Sequence, residues 1–168
     1  MDTIRTHLLD ASVLTKLVVP EHKSDTVRDY FSKNSVFWTT SFCIAEAFGA
    51  LKAKRSRFGK ESALDGISET VYLSALEELI SMVRNGTIAI EEIDIHHRSI
   101  FDEVEQLCSK YKLDAVDTFQ IVTMLRGFPS TMNEEASTIL ITADEKLADA
   151  AQLEGLRTWN CIKEPSPS

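Results

Sequence analysis

Four acidic residues stand where a lone carboxylate is awkward. Asp10 ends the short apolar run His7-Leu8-Leu9, and a helical pattern of Val13, Leu14, Leu17 and Val18 follows at once. Asp144 repeats this arrangement after Thr138-Ile139-Leu140-Ile141-Thr142, with Leu147, Ala148, Ala151 and Leu153 marking the helix beyond it. Glu46 sits among Phe42, Ile44, Ala45, Ala47, Phe48 and Leu51, and Asp117 precedes Phe119, Ile121, Val122, Met124 and Leu125. An unpaired buried charge is costly, so such acids call for a partner or a cation. Each also has an ordinary reading. Asp10 and Asp144 suit helix N-caps, Asp117 suits the positive end of a helix dipole, and Glu46 can reach water between two alanines. As a set they suggest different chemistry. Carboxylate oxygens without His or Cys ligands favour Mg²⁺ or Mn²⁺, and like charges brought together need such compensation. One or two such ions can activate water and stabilise the leaving oxygen in phosphodiester hydrolysis.

The elements that must position these acids can be read from periodicity. Buried strands are expected at 7–9, 36–39, 87–95, 138–142 and 156–159, and helices at 12–18, 22–31, 41–57, 64–84, 99–111, 114–125 and 145–153. Asn85-Gly86 closes the long helical segment, Gly127-Phe128-Pro129 ends the later one, and 130–137 reads as a polar loop. Alternating strands and helices imply a three-layer α/β/α fold with a mostly parallel central sheet of about four to five strands. In such sheets ligands bind outside the carboxyl ends of the strands. Asp10 and Asp144 then share one edge by construction. Asp114 and Asp117, three apart, share a face at a helix start. The chain reads as one domain over 1–163, with a helical segment at 58–85 projecting from the sheet and a frayed tail at 164–168.

Composition narrows the function. The chain has 168 residues, with 43% hydrophobic and 26% charged residues, as in an ordinary globular domain. No apolar run is long enough to span a membrane, and the N-terminus lacks a secretory pattern, so a cytoplasmic protein is expected. Cys43, Cys108 and Cys161 are scattered and odd in number, which suits reduced core thiols. The net charge of −8 disfavours a nucleic-acid surface. However, bound cations reverse the local sign, and Lys52, Lys54, Arg55, Arg57 and Lys60 are concentrated in one segment. Lys52, Lys54, Arg55 and Arg57 are candidates for holding an RNA backbone; as a solvated helix end they would also suit the dipole. His96-His97 are adjacent and cannot face one site on a helix. Trp38 and Trp159 read as core.

The runs LLDASVL (8–14), AEAFGAL (45–51), LDAVDTFQI (113–121) and LITADEKLADAA (140–151) together resemble the four acidic motifs of PIN-domain nucleases. They are most similar to the VapC-type toxins of toxin–antitoxin pairs. The resemblance spans nearly the whole chain in order. It implies Asp10, Glu46, Asp117 and Asp144 as catalytic and metal-holding acids, with Asp117 favoured over Asp114. It implies supporting roles for Ser12 and Thr142, and for Asp114 beside them. The expected activity is a Mg²⁺- or Mn²⁺-dependent endoribonuclease with RNA as substrate, an antitoxin protein as partner and a homodimer as assembly. The other class is a PIN-like module that binds RNA or protein with weak or no catalysis, which the net negative charge favours.

Overall fold

Every strand but the outermost two must bury both faces, and the sequence supplies the apolar residues to do so. The structure, a computed structural model, describes residues 5–60, 64–127 and 137–167. The chain runs β1 (Arg5–Leu9), α1 (Ala11–Val18), α2 (Ser24–Lys33), β2 (Phe37–Thr39), α3 (Ser41–Arg57), α4 (Glu69–Arg84) and β3 (Ile88–Ile90). It continues with α5 (Arg98–Tyr111), α6 (Ala115–Arg126), β4 (Ser137–Thr142), α7 (Glu145–Leu153) and β5 (Arg157–Asn160). The strands form one parallel sheet in the order β3-β2-β1-β4-β5. The expected α/β/α fold is therefore the observed one, with five strands and seven helices among the described residues.

Side-chain alternation assigns each strand residue to a layer. Leu8, Trp38 and Leu140 pack with Val104, Leu107, Ile121, Val122 and Leu147 of α5, α6 and α7. Leu9, Phe37, Ile88, Ile139, Ile141 and Trp159 pack with α1 to α4 on the opposite face. Leu9 lies opposite Ile141, which lies opposite Trp159, so β1 and β4 are the central pair. Both tryptophans are buried, as expected. The cysteines are free; Cys43 and Cys161 are buried, whereas Cys108 is only half-buried.

Several boundaries differ from the sequence reading. The helix expected from residue 64 begins at Glu69, because Ser68 caps it and accepts from the Val71 N–H. It does not project: Ala75 and Leu79 are buried against the core shared with α1 and α3. Gly66 approaches the Phe58 backbone so closely that a Cβ would lie 2.7 Å from its Cα, which fixes glycine at this crossing. β3 is three residues rather than nine, although Ile93 beyond it still reaches the core. The polar loop expected at 130–137 lies outside the described residues, except that Ser137 opens β4. The tail is anchored at Glu164, whose N–H donates to the Asn160 carbonyl (2.9 Å) and whose own carbonyl accepts from Trp159 Nε1 (3.2 Å).

Candidate active site

The strand ladder carries β1 up to its acid. The Asp10 N–H still donates to the Ile141 carbonyl (3.1 Å), after which the side chain caps α1. Asp10 is 5% exposed, and its carboxylate is heavily bonded. Oδ1 accepts from the Ala11 N–H (2.7 Å) and Gln120 Nε2 (3.0 Å). Oδ2 accepts from Ser12 Oγ (2.5 Å), Thr142 Oγ1 (2.8 Å) and, more weakly, the Ser12 N–H (3.4 Å). Hydrogen bonds to a carboxylate are the stronger kind, so this oxygen pair is held in orientation.

The neighbouring strand end is tied to the first. Thr142 Oγ1 accepts from the Asp144 N–H (2.9 Å) while donating to Asp10. Ser12 Oγ accepts from the Ala143 N–H (3.0 Å) while donating to Asp10. Asp144 is exposed and caps α7 by accepting from the Leu147 N–H (3.0 Å). Ser12 and Thr142 thus brace the ends of β1 and β4. The N-cap reading of Asp10 and Asp144 is correct for both, and it does not compete with a site. In Asp144 the cap engages Oδ1, whereas in Asp10 both oxygens are engaged, by the cap and by Ser12, Thr142 and Gln120.

The two helix-borne acids feel the charge of the strand-end acids. Asp114 is the N-cap of α6; its Oδ1 accepts from the Asp117 N–H (2.9 Å). Asp117, half-buried one turn in, has its carboxyl pushed up to about 7, first by removal from water and then by Asp114, Asp10, Asp144 and Glu46. Glu46 is also raised, by desolvation and then by Asp10 and Asp114. These mutual influences place five acids within electrostatic reach of one another. Of the two positions open to Glu46 the structure shows the solvent-reaching one: it is exposed, on the outward side of α3 with Ala45, Gly49 and Ala50.

Most of the basic cluster is paired with acids of the same chain. Lys54 is buried, and its ammonium bonds Glu21 Oε1 (2.6 Å) and Asp65 Oδ2 (3.2 Å). Arg57 pairs with Asp65 (2.6 Å), and Arg55 pairs with Glu69 (3.2 Å) and lies 4.8 Å from the Tyr72 ring centroid. Lys52 is exposed and forms no ion pair among the described residues. His96 and His97 are exposed, the latter beside Asp94.

Sequence reasoning missed two residues. Gln120 was passed over within an apolar run, although a lone amide among Phe119, Ile121 and Val122 is itself a signal. Glu92 follows β3, and its Oε1 accepts from the Ser41 N–H (2.6 Å) at the start of α3; no local pattern reveals that contact.

The donor set fits a hard divalent cation in its chemistry: oxygen ligands only, and a crowd of like charges that a cation would relieve. It is not a closed cage, because no group of three or more His, Cys, Asp or Glu among the described residues is set to hold an ion. The fold is a parallel α/β/α sheet whose two central strands each end in an acid, Asp10 and Asp144. The chain belongs to the PIN-domain family, whose model matches residues 7–153. PIN domains form a nuclease superfamily, and its nucleases typically use divalent metals. Among solved structures the chain is similar to PAE2754 from Pyrobaculum aerophilum, with a TM-score of 0.57 and 18% identity over 94% of this chain and 92% of that one. At that identity the likeness bears on the fold. Among curated proteins no sequence matches significantly.

Proposed function

We propose that this protein is a Mg²⁺- or Mn²⁺-dependent endoribonuclease that hydrolyses RNA phosphodiester bonds. The observation that carries this reading is that Asp10 and Asp144, bridged by Thr142, end adjoining parallel strands, with Asp117 and Glu46 raised by burial and in part by neighbouring acids. A fold that tolerates such repulsion in a half-buried position is adapted to receive positive charge. When bound, a divalent ion supplies a water of lowered pKa and offsets charge at the phosphate.

Asp10, Asp117 and Asp144 are the residues suited to hold that ion. Asp10 offers an oriented carboxylate, and Ser12 and Thr142 keep it from rotating. Asp117 approaches from α6 and, with its high proton affinity, releases a proton on binding a cation at neutral pH. Asp144 holds its place through its cap and keeps one oxygen outside that bond. Glu46, exposed across the rim on α3, is placed to accept a proton or a hydrogen bond from water. Asp114 sets the start of α6 and so the position of Asp117. Lys52 is the member of the basic cluster best placed to meet a phosphate, since Lys54, Arg55 and Arg57 are engaged with acids.

The ordered motifs support a VapC-type toxin as the finer reading, with an antitoxin protein partner and a homodimer. The test is cleavage of single-stranded RNA with Mn²⁺ added back after chelation. Cleavage is expected only with metal, and Asp10→Asn and Asp144→Asn should each drop it to the metal-free background. Cleavage that survives either substitution would overturn the proposal. Mn²⁺ binding without cleavage would favour the non-catalytic binding module instead.

A further inference from the structure

Gln120 is fully buried in α6, yet its side chain is not absorbed into the core. Its Nε2 donates to Asp10 Oδ1 at 3.0 Å. Its Oε1 is buried and has no hydrogen-bond partner among the described residues. The amide orientation follows from charge, because the reverse assignment would set a carbonyl oxygen against a carboxylate. Of the groups that bond Asp10, Ala11 and Ser12 belong to its own turn and Thr142 to the adjoining strand end. Gln120 alone reaches it from the helix that carries Asp117. Asp117 and Gln120 are i and i+3, so they lie on one face of α6.

We infer that Gln120 is a positioning residue: it locks the register of α6 against β1, so that Asp10 and Asp117 present oxygens to one cation, and offers Oε1 to a water of that cation's shell. This inference rests on the divalent-metal reading above. The orphaned oxygen is what separates it from ordinary packing. A buried acceptor without a donor lowers stability, and an apolar residue of the same length would avoid that loss. Gln120 therefore carries a cost in the metal-free fold that a water bound to the ion would relieve. The bond to Oδ1 also restricts which lone pairs of Asp10 remain open, as outer-shell partners of metal ligands do. The other buried side-chain atoms without a partner among the described residues, His7 Nδ1 and Trp38 Nε1, belong to residues that do not bond Asp10.

The test is Gln120→Met in the full chain, which keeps length and removes both polar functions. Two quantities are read: the Mn²⁺ dissociation constant by titration calorimetry, and Tm in chelated buffer. Mn²⁺ affinity is expected to fall by roughly ten-fold, within the range for outer-shell partners, while the metal-free Tm falls only slightly, because loss of the bond to Asp10 is offset in part by removal of the orphaned oxygen. With RNA, kcat should fall and KM should stay unchanged. Gln120→Leu gives the same comparison if the methionine variant fails to accumulate. Wild-type Mn²⁺ affinity in a folded variant would overturn the positioning role and leave the metal reading intact. Titration well below the Tm of the variant keeps a loss of stability from being read as a loss of affinity. A wild-type protein that binds no Mn²⁺ would overturn both readings.

Discussion

Two regions of this molecule remove charge from water, and they do so with opposite results. Beneath α1 and α3, Lys16 and Lys54 are buried on either side of Glu21, with Nζ–Oε distances of 3.0 and 2.6 Å. Lys16 also donates to the His22 carbonyl (3.1 Å), and Lys54 reaches Asp65. Opposite charges alternate, and the two ammonium groups hold the Glu21 carboxyl below its ordinary value despite burial. At the sheet rim the charges are all negative, and the Asp117 carboxyl is driven up instead. The first region is electrostatically complete within the chain. In the second, every charged group acting on Asp117 is another acid. The same desolvation acts on both, so the presence or absence of a partner decides which region is structural and which is open to a ligand.

The largest effect should come from breaking the complete region. Lys54→Met removes one ammonium and leaves Glu21 and Asp65 short of a partner. Deleting one side of a buried pair costs about 3–5 kcal/mol, and the lower end is expected here because Glu21 keeps Lys16 and is 20% exposed. Denaturant unfolding measures this, with RNA cleavage per folded molecule expected to hold. If stability fell by less than about 1 kcal/mol, Lys54 would be freer than its contacts suggest, and its candidacy as an RNA contact would revive.

A smaller effect of opposite sign is expected at the rim. The folded pKa of Asp117 lies near 7 against an ordinary 3.8, so the folded state holds this proton more tightly than the unfolded state. Its contribution to metal-free stability is therefore fully present below pH 3.8 and is lost as pH rises through about 7. Glu21, held low, behaves in reverse: its contribution is present above pH 4.5 and is lost as pH falls. Asp117→Asn should flatten the metal-free pH profile between 4 and 7. It should raise Tm at pH 8 by roughly 3 °C, or about 1 kcal/mol after allowance for solvent screening. It should also abolish metal-dependent stabilisation. A variant less stable than the wild type at pH 8 would show that Asp117 makes a bond the rim needs without metal.

How much of this was legible in the sequence depends on the range of the interaction involved. Asp10 and Asp144 were legible because strand, acid and helix are contiguous, and a parallel sheet then forces them to one edge. Asp117 was legible from an apolar helix with an acid in its first turn. Glu46 was legible as an acid in an apolar helix, but its burial was not: both a buried and a solvent-reaching position were open, and the structure shows the second. Alanine and glycine tolerate either side of a helix, so Ala45, Gly49 and Ala50 did not mark the outward face. The ion pairs of the basic cluster were not legible. Glu21 lies 33 residues from Lys54, and Asp65 and Glu69 lie across a turn, so no local spacing announces them. The long predicted third strand failed for a related reason. Its alternation continues past Ile90, but β2 ends at Thr39 and offers no further backbone to pair with.

The smallest effect is the one that sharpens the contrast between engaged and spare cations. Lys52 is exposed on α3 and forms no ion pair among the described residues, so Lys52→Ala should change stability by no more than about 0.5 kcal/mol. If Lys52 meets a phosphate, the slope of log RNA affinity against log salt should become shallower by about one unit, with less than a ten-fold loss at moderate salt. Arg55→Ala provides the control. Arg55 is equally cationic and also exposed, but it is engaged with Glu69 and Tyr72. It should leave the salt slope unchanged while costing a few tenths of a kcal/mol from the exposed pair. Were Arg55→Ala to shift the salt slope and Lys52→Ala to leave it alone, the Arg55–Glu69 pair would have to open for substrate. Pairing seen in the free protein would then no longer separate structural charges from binding ones.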